Sequence, residues 1–272
     1  MLPDPQLDQI ATEMSAARRN ARPIACFTPR HPGFDLAGAY AVAARLHAEH
    51  VAAGAIPVGR KIGFTNSALW EVYGVGHPIW AYVYDDTVSR PRGRPAHCSL
   101  EGLVQPKIEP EIVLHFHRAP PPGADVAAIA DCIDWCTQGF EIVQSHFPDW
   151  RFSPADAVAD NSLHGYLVLG QAVPLASLGD DPVGALERFG VDLFCDGKLC
   201  ASGRGANALG NPLAALAHLV ALLDSQSPAV ALKAGEIVTT GTLTAALDIR
   251  PRQTWHTELS GIGLEGLAVR FD

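Results

Sequence analysis

The sequence predicts an α+β fold: a mainly helical stretch over residues 1–55, then a β-rich core over residues 56–272, within one domain. Two observations carry that expectation. Up to residue 55 apolar residues recur at helical spacing, whereas from residue 56 short apolar runs alternate with Gly-, Pro- and Asp-rich turns. The strand-like runs also outnumber the helical ones without alternating regularly with them, as a doubly wound sheet would require. With 48% hydrophobic and 18% charged residues in 272, the chain can bury a sizeable core and is not globally disordered.

The elements follow in order. Residues 4–20 suit an amphipathic helix. "FDLAGAYAVAARLHAEHVAAG" is Ala-rich, with Leu36, Tyr40, Ala43, Ala44 and His47 at helical spacing and Gly54 as a stop. The runs "IPVGRKIGF", "PIWAYVYDD", "IEPEIVLHF", "GFEIVQSHF", "HGYLVLGQAV", "VDLFCDGKLCASG", "GEIVTTGTL" and "EGLAVRFD" read as strands. Asp196-Gly197 between two strand-like arms is a hairpin signal. Two helices interrupt: one around "DVAAIADCIDWC", with Val126, Ile129, Ile133 and Cys136 on one stripe, and "NPLAALAHLVALL", with Asn211 as N-cap and Pro212 at the first helical position.

The net charge of −9, from 20 basic and 29 acidic residues, argues against nucleic acid or an anionic membrane as the main partner. "MLPDPQLDQI" lacks the basic and apolar parts of a secretory signal, and no uninterrupted apolar run is expected to span a bilayer. The six cysteines form no C-x-x-C pair, and no Cys/His spacing suggests zinc; a reduced, cytoplasmic protein is the simplest reading. Cys132 and Cys136 sit one turn apart on the expected helix.

Chemistry concentrates in a few places. On a strand, Glu109 and Glu111 of "IEPEI" share one face, and two like charges side by side repel unless a cation relieves them. Glu141 of "GFEIV" lies inside a second apolar run, where a carboxylate is rare unless paired or metal-bound. Three carboxylates could hold Mg²⁺ or Mn²⁺; alternatively Glu109 and Glu111 lie on a solvated strand face and Glu141 pairs with a lysine or arginine. Lys61, between glycines in "GRKIGFT", is either an ordinary strand lysine or a pocket lysine that binds an anion or relays a proton. Asp160 and Asn161 either cap a turn or line a site, and Trp80 and Tyr82 either pack in the core or wall a pocket. His115 and His117 lie too far along the strand to share one ion with both glutamates.

Taken in order, "VGRKIGFT", "QPKIEPEIVL", "GFEIVQSHFPDW", "DAVADNSLHGYLVLG", "SGRGANALGNPLAALAHL", "LKAGEIVTTGTL" and "LSGIG" resemble the 2-keto-4-pentenoate hydratase and 4-oxalocrotonate decarboxylase group of the fumarylacetoacetate hydrolase superfamily. The resemblance implies a rolled, mixed β-sandwich in a homo-oligomer and a small 2-oxo acid substrate. It implies Glu109, Glu111 and Glu141 as ligands of one Mg²⁺ or Mn²⁺, with Lys61, Asp86 and Asp160 in catalysis and Asn161, Trp80, Tyr82 and Thr240 at the substrate. The expected reaction is hydration of a 2-hydroxy-2,4-dienoate. Decarboxylation of an oxalocrotonate-type acid, C–C hydrolysis of an acylpyruvate and a non-catalytic homologue are the alternatives. Ala81 and Leu163 stand where such hydratases often carry Gly and Ser, and "TTGTLTAALDI" departs from their usual strand ending.

Overall fold

The computed structural model describes residues 2–67, 70–73, 76–91, 93–226 and 230–272. The chain opens with α1 (Asp4–Arg19), which buries Leu7, Ile10 and Met14 at helical spacing and carries Arg18 and Arg19 in its last turn, where they complement the helix dipole. In α2 (Leu36–Ala52) the Asp35 carboxylate caps the N-terminus by accepting from the Gly38 N–H at 2.8 Å. The helix gives way at Gly54, whose φ of +104° favours glycine. The core then follows as β1 (Pro57–Gly63), α3 (Trp70–Tyr73), β2 (Ile79–Tyr84), β3 (Val88–Ser89), β4 (Ala96–Cys98), β5 (Lys107–Phe116), α4 (Val126–Ala130), β6 (Ile133–Val143), α5 (Pro154–Ala159), β7 (His164–Leu169) and β8 (Val173–Pro174). It ends with α6 (Pro182–Arg188), β9 (Gly190–Cys195), β10 (Lys198–Arg204), α7 (Pro212–Asp224), β11 (Ile237–Thr239), β12 (Leu247–Asp248), β13 (Thr254–Ser260) and β14 (Ala268–Phe271).

Two mixed sheets result. The larger runs β2-β1-β11-β5-β6-β7-β3, with β12 on β5 and β8 on β6; the smaller runs β10-β9-β13-β14-β4. The pairs β1/β11, β3/β7 and β4/β14 are parallel and the rest antiparallel. Strand alternation decides what lies between the sheets. Ile108 of β5 with Phe140 and Ile142 of β6 packs against Leu193, Trp255, Val269 and Phe271 of the smaller sheet. The glutamates of β5 and β6 therefore face the other way, towards the side where α1 and α5 pack. Helix α7 buries Leu213, Leu216, Leu219, Val220 and Leu223 against Ile112, Leu114 and Phe116 at the far end of β5. Asn211 caps it by accepting from the Leu213 N–H at 2.8 Å.

The hairpin at Asp196-Gly197 forms as expected, with both residues at positive φ, 49° and 79°. One expectation is corrected. The helix around "DVAAIADCIDWC" stops at Ala130, and Ile133 and Cys136 belong to β6. Ten registered pairs with β5, from Lys107↔Val143 to Phe116↔Ile133, outweigh a helical stripe only four positions long. Cys132 and Cys136 thus do not share a helix, and all six cysteines are free thiols. The segment Gly205–Asp224 is, by length and composition, apolar enough to cross a bilayer, although Asn207, Asn211 and His218 interrupt it. Half of its most apolar window is buried, as in the core helix described above.

Candidate metal centre

The centre grows out of strand register. Period two places Glu109 and Glu111 on one face of β5, and the antiparallel pairing sets Glu141 of β6 directly opposite Glu109. One carboxylate oxygen from each of the three lies within 4.8 Å of the others. Glu111 and Glu141 are buried and Glu109 is half-buried. From β1, Lys61 reaches the same face, buried, with Nζ 3.1 Å from Glu141 Oε1. The Gly241 N–H donates to Glu111 Oε2 at 2.8 Å. Gly241 has φ +92°, and a Cβ there would lie 1.6 Å from Thr65 Oγ1, so only glycine lets this amide approach.

The charges do not balance. Burial pushes Glu109 up to about 7, with Lys61 opposing and Glu141 adding to the rise. Burial, then Glu141 and Glu109, hold Glu111 well above the usual carboxylate range. Against the upward push of burial, Lys61 and then the hydrogen bond from His164 hold Glu141 at about 2. Burial alone would lower the Lys61 ammonium, but Glu141, Glu109 and Glu111 outweigh it and raise it. Lys61 is therefore a cation here rather than a free base. It balances one carboxylate, and the other two hold protons more tightly than usual, which a divalent cation could displace. Glu141 Oε2 is buried without a hydrogen-bond partner. Such an oxygen, beside two carboxylates rich in proton affinity and with no sulfur or imidazole among the three donors, fits a hard dication.

A pH prediction follows. Glu109 and Glu111 have folded-state values above their ordinary 4.5, so their contribution to stability is fully present below that value and is lost as pH rises, through about 7 in the case of Glu109. Chelator-treated protein should melt at progressively lower temperature between pH 5 and pH 7.5, and Mn²⁺ should bind more tightly over the same range with release of protons. Thermal denaturation and calorimetry in buffers of different ionisation heat check both; a flat profile with no proton release would mean the trio is already ionised.

Above the glutamates lies a cavity of about 50 Å³ whose polar floor includes Lys61, Glu109 and Glu111. Its walls include Phe64, Trp70, Ile79, Trp150, Phe152 and Leu163. The two indole N–H groups are turned into backbone, Trp70 to the Phe64 carbonyl at 2.7 Å and Trp150 to the Gln105 carbonyl at 3.0 Å, so both donors are already used. Lys61 is the only lysine or arginine among the described lining residues. Asn161, Ser162 and Leu163 all have positive φ, 51°, 49° and 66°, a left-handed turn uncommon in non-glycine residues. It carries Ser162 and Leu163 into the wall, with Ser162 Oγ donating to the Trp80 carbonyl at 2.7 Å.

The remaining expected site residues lie elsewhere. Trp80 and Tyr82 occupy the opposite face of β2 from Ile79 and pack on α2, stacking on Tyr40 and His47 at 5.7 and 3.8 Å. The Arg60 guanidinium lies 3.8 Å from the Tyr82 ring and pairs with Glu236 at 2.8 Å. Asp86 falls beyond the end of β2, in the turn Asp85–Thr87, which points it outward; it is exposed and lies 3.2 Å from His50. Asp160 is buried as a hub, 2.9 Å from both Arg18 and His146 Nδ1, and ties α1 to the core. Asn161 borders a second cavity of about 410 Å³ with Arg18, His50 and Thr87. Thr240 donates from Oγ1 to the Ile112 carbonyl at 2.9 Å, and its neighbours Gly241 and Thr242 line the first cavity instead. His115 bonds Asp134 at 2.6 Å and His117 the Asp131 carbonyl at 3.0 Å, both away from the glutamates.

Sequence reasoning missed His164, whose Nδ1 lies 2.8 Å from Glu141 Oε1. The signal that could have found it is Gly165 just inside a strand-like run, which marks a bulge.

The family model described as "Fumarylacetoacetate (FAA) hydrolase C-terminal" matches residues 41–266. The chain is 31% identical over 267 residues to the 2-keto-4-pentenoate hydratase of Paraburkholderia phymatum, covering 97% of each chain. It is 29% identical over 268 residues to the 4-oxalocrotonate decarboxylase of Pseudomonas putida, covering 98% of this chain and 97% of the relative. Among solved structures, the 4-oxalocrotonate decarboxylase of Pseudomonas putida G7, complexed with magnesium and adipate, superposes with a TM-score of 0.90 at 27% identity, over 100% of this chain and 99% of that one.

Proposed function

The chain belongs to the fumarylacetoacetate hydrolase family, and we propose that it is a divalent-cation-dependent lyase that adds water across the distal double bond of a 2-hydroxy-2,4-dienoate or its 2-oxo-enoate tautomer. The observation that carries this reading is the Glu109–Glu111–Glu141 cluster, with a partnerless Glu141 oxygen, beneath an otherwise largely apolar cavity. Glu109, Glu111 and Glu141 would hold Mg²⁺ or Mn²⁺. Such an ion, when bound, offsets the negative charge that develops on a substrate oxygen.

The protein's own groups supply the rest. Lys61, protonated and at the cavity floor, anchors the substrate anion and is placed to hold or give a proton from Nζ. Phe64, Trp70, Ile79 and Leu163 receive the hydrocarbon end and shield it from bulk water. Asp86 and Asp160, both outside the cavity, take no part in the step and Asp160 instead holds α1 in place.

A decarboxylase reading has a specific support in the 0.90 TM-score likeness to the magnesium- and adipate-bound decarboxylase. Its substrate class carries a second carboxylate, which needs a second cationic group. Lys61 sits at the glutamate end of the cavity, where it meets the first carboxylate, and the described lining residues hold no other lysine or arginine for a distal one. That balance favours hydration of a substrate with a short, uncharged distal end. The proposal extends to a homo-oligomeric, cytoplasmic enzyme built as one domain; the one-domain reading is supported by the half-buried Arg18 pairing with the buried Asp160 and by Phe27 N–H donating to Asp156 at 2.7 Å.

The test is one panel of a 2-hydroxy-2,4-dienoate, an oxalocrotonate and an acylpyruvate, each with Mg²⁺ or Mn²⁺, read by product mass. Gain of water on the dienoate, with slower turnover of the oxalocrotonate, is the expected outcome. Loss of carbon dioxide as the faster reaction, or cleavage into two acids, would overturn it.

A further inference from the structure

We propose that His164 is a positioning residue of the metal centre: it clamps one oxygen of Glu141 so that the other stays aimed at the cation. The inference rests on the three-glutamate reading above. Its starting point is a break in strand register. Along β6 and β7 the pairs run Gly139↔Leu169, Phe140↔Val168, Glu141↔Leu167 and Ile142↔Tyr166, and then jump to Val143↔His164. Gly165 is the extra residue of a β-bulge. By unbroken alternation His164 would lie on the face opposite Leu167 and Glu141. The bulge turns it back onto the glutamate face, level with Val143, two residues from Glu141. A Cβ at Gly165 would lie 2.6 Å from the Ile142 carbonyl oxygen, so the bulge requires glycine there.

The ring so delivered is fully enclosed, and both nitrogens are engaged. Nδ1 lies 2.8 Å from Glu141 Oε1, and Nε2 lies 3.0 Å from Thr87 Oγ1, which also reaches the Tyr84 carbonyl at 3.0 Å. An ionised carboxylate only accepts, so Nδ1 carries a proton and Thr87 fixes the far side of the ring. Oε1 of Glu141 is then shared between His164 and Lys61 at 3.1 Å, while Oε2 has no hydrogen-bond partner among the described residues. Two donors on one oxygen stop the carboxylate from rotating and leave Oε2 as the ligand atom. Outer-shell partners of this kind typically contribute about 10- to 100-fold in metal affinity. The ring does not line the cavity, so it does not serve as the water-activating base that a C–C hydrolase would need.

The test compares two substitutions of similar bulk that differ in the donor. His164→Asn keeps an N–H close to the Nδ1 position, and His164→Leu removes it. Calorimetric titration of chelator-treated proteins with Mn²⁺ should show His164→Leu weaker than wild type by about 10- to 100-fold, with His164→Asn recovering most of that loss. Equal affinity in wild type and His164→Leu, or equal weakening in both variants, would overturn the clamp and leave His164 a packing residue. Should His164→Leu not fold, Thr87→Val decides by the same titration: weakened binding supports the clamp and unchanged binding overturns it. If wild type itself binds no Mn²⁺, the three-glutamate reading has failed, an outcome separate from failure of the clamp alone.

Discussion

Glu111→Gln should lose at least about a hundredfold in Mn²⁺ affinity, more than outer-shell changes usually cost, while its metal-free form melts no lower than wild type. The two effects have one cause. Glu111 is buried beside Glu141 and Glu109, and their repulsion together with burial already drives its carboxyl well above the usual range. A neutral amide of the same shape removes that repulsion and can still accept from the Gly241 N–H, which now meets Glu111 Oε2 at 2.8 Å. The folded apo protein therefore no longer bears the cost of ionising a buried carboxyl beside two others. The cation loses a charged ligand and finds a weaker one. Thermal denaturation at pH 7.5 with chelator, and turnover against Mn²⁺ concentration, check the pair; a large fall in apo stability would mean Glu111 is held by a favourable partner instead.

Lys61→Met should lower turnover by at least about a hundredfold, the lower end of what a positioned proton donor supplies, with the fold retained. Methionine is chosen over alanine because Lys61 is only 3% exposed and a smaller residue would leave a hole beside Glu141. Glu141 loses the cation that most strongly holds it low and becomes easier to protonate. Mn²⁺ then replaces Lys61 as the main counter-charge, so metal affinity should stay level or rise while turnover falls. That divergence separates a role for Lys61 at the substrate from simple support of the glutamates. Near-normal turnover of the best substrate would remove Lys61 from the reaction.

Much of the centre is legible in the sequence because it depends on local geometry. Period two alone puts Glu109 and Glu111 side by side, and an apolar run around Glu141 marks a carboxylate in need of a partner. Lys61 between two glycines is visible for the same reason. What the sequence hides is register. That Glu141 faces Glu109 follows from the pairing of β5 with β6, and His164 reaches Glu141 only through the bulge at Gly165. Thr240 and Gly241 are adjacent, yet only the backbone conformation at Gly241 reveals that the amide, not the hydroxyl, serves the site. Asp86 seemed to continue the aromatic strand, but β2 ends two residues earlier, and alternation past a strand end predicts nothing. Ile133 and Cys136 continue a helically spaced stripe from Val126 and Ile129, and only the pairing with β5 makes them strand.

The central claim is that three glutamates on two strands hold one divalent cation, and calorimetric titration of chelator-treated wild type and Glu111→Gln with Mn²⁺ tests it most directly. The account predicts one site per chain in wild type, occupied in step with recovery of activity, and at least about a hundredfold weaker binding in the variant. Equal binding by both proteins, or an active wild type that binds no Mn²⁺ or Mg²⁺, would contradict it.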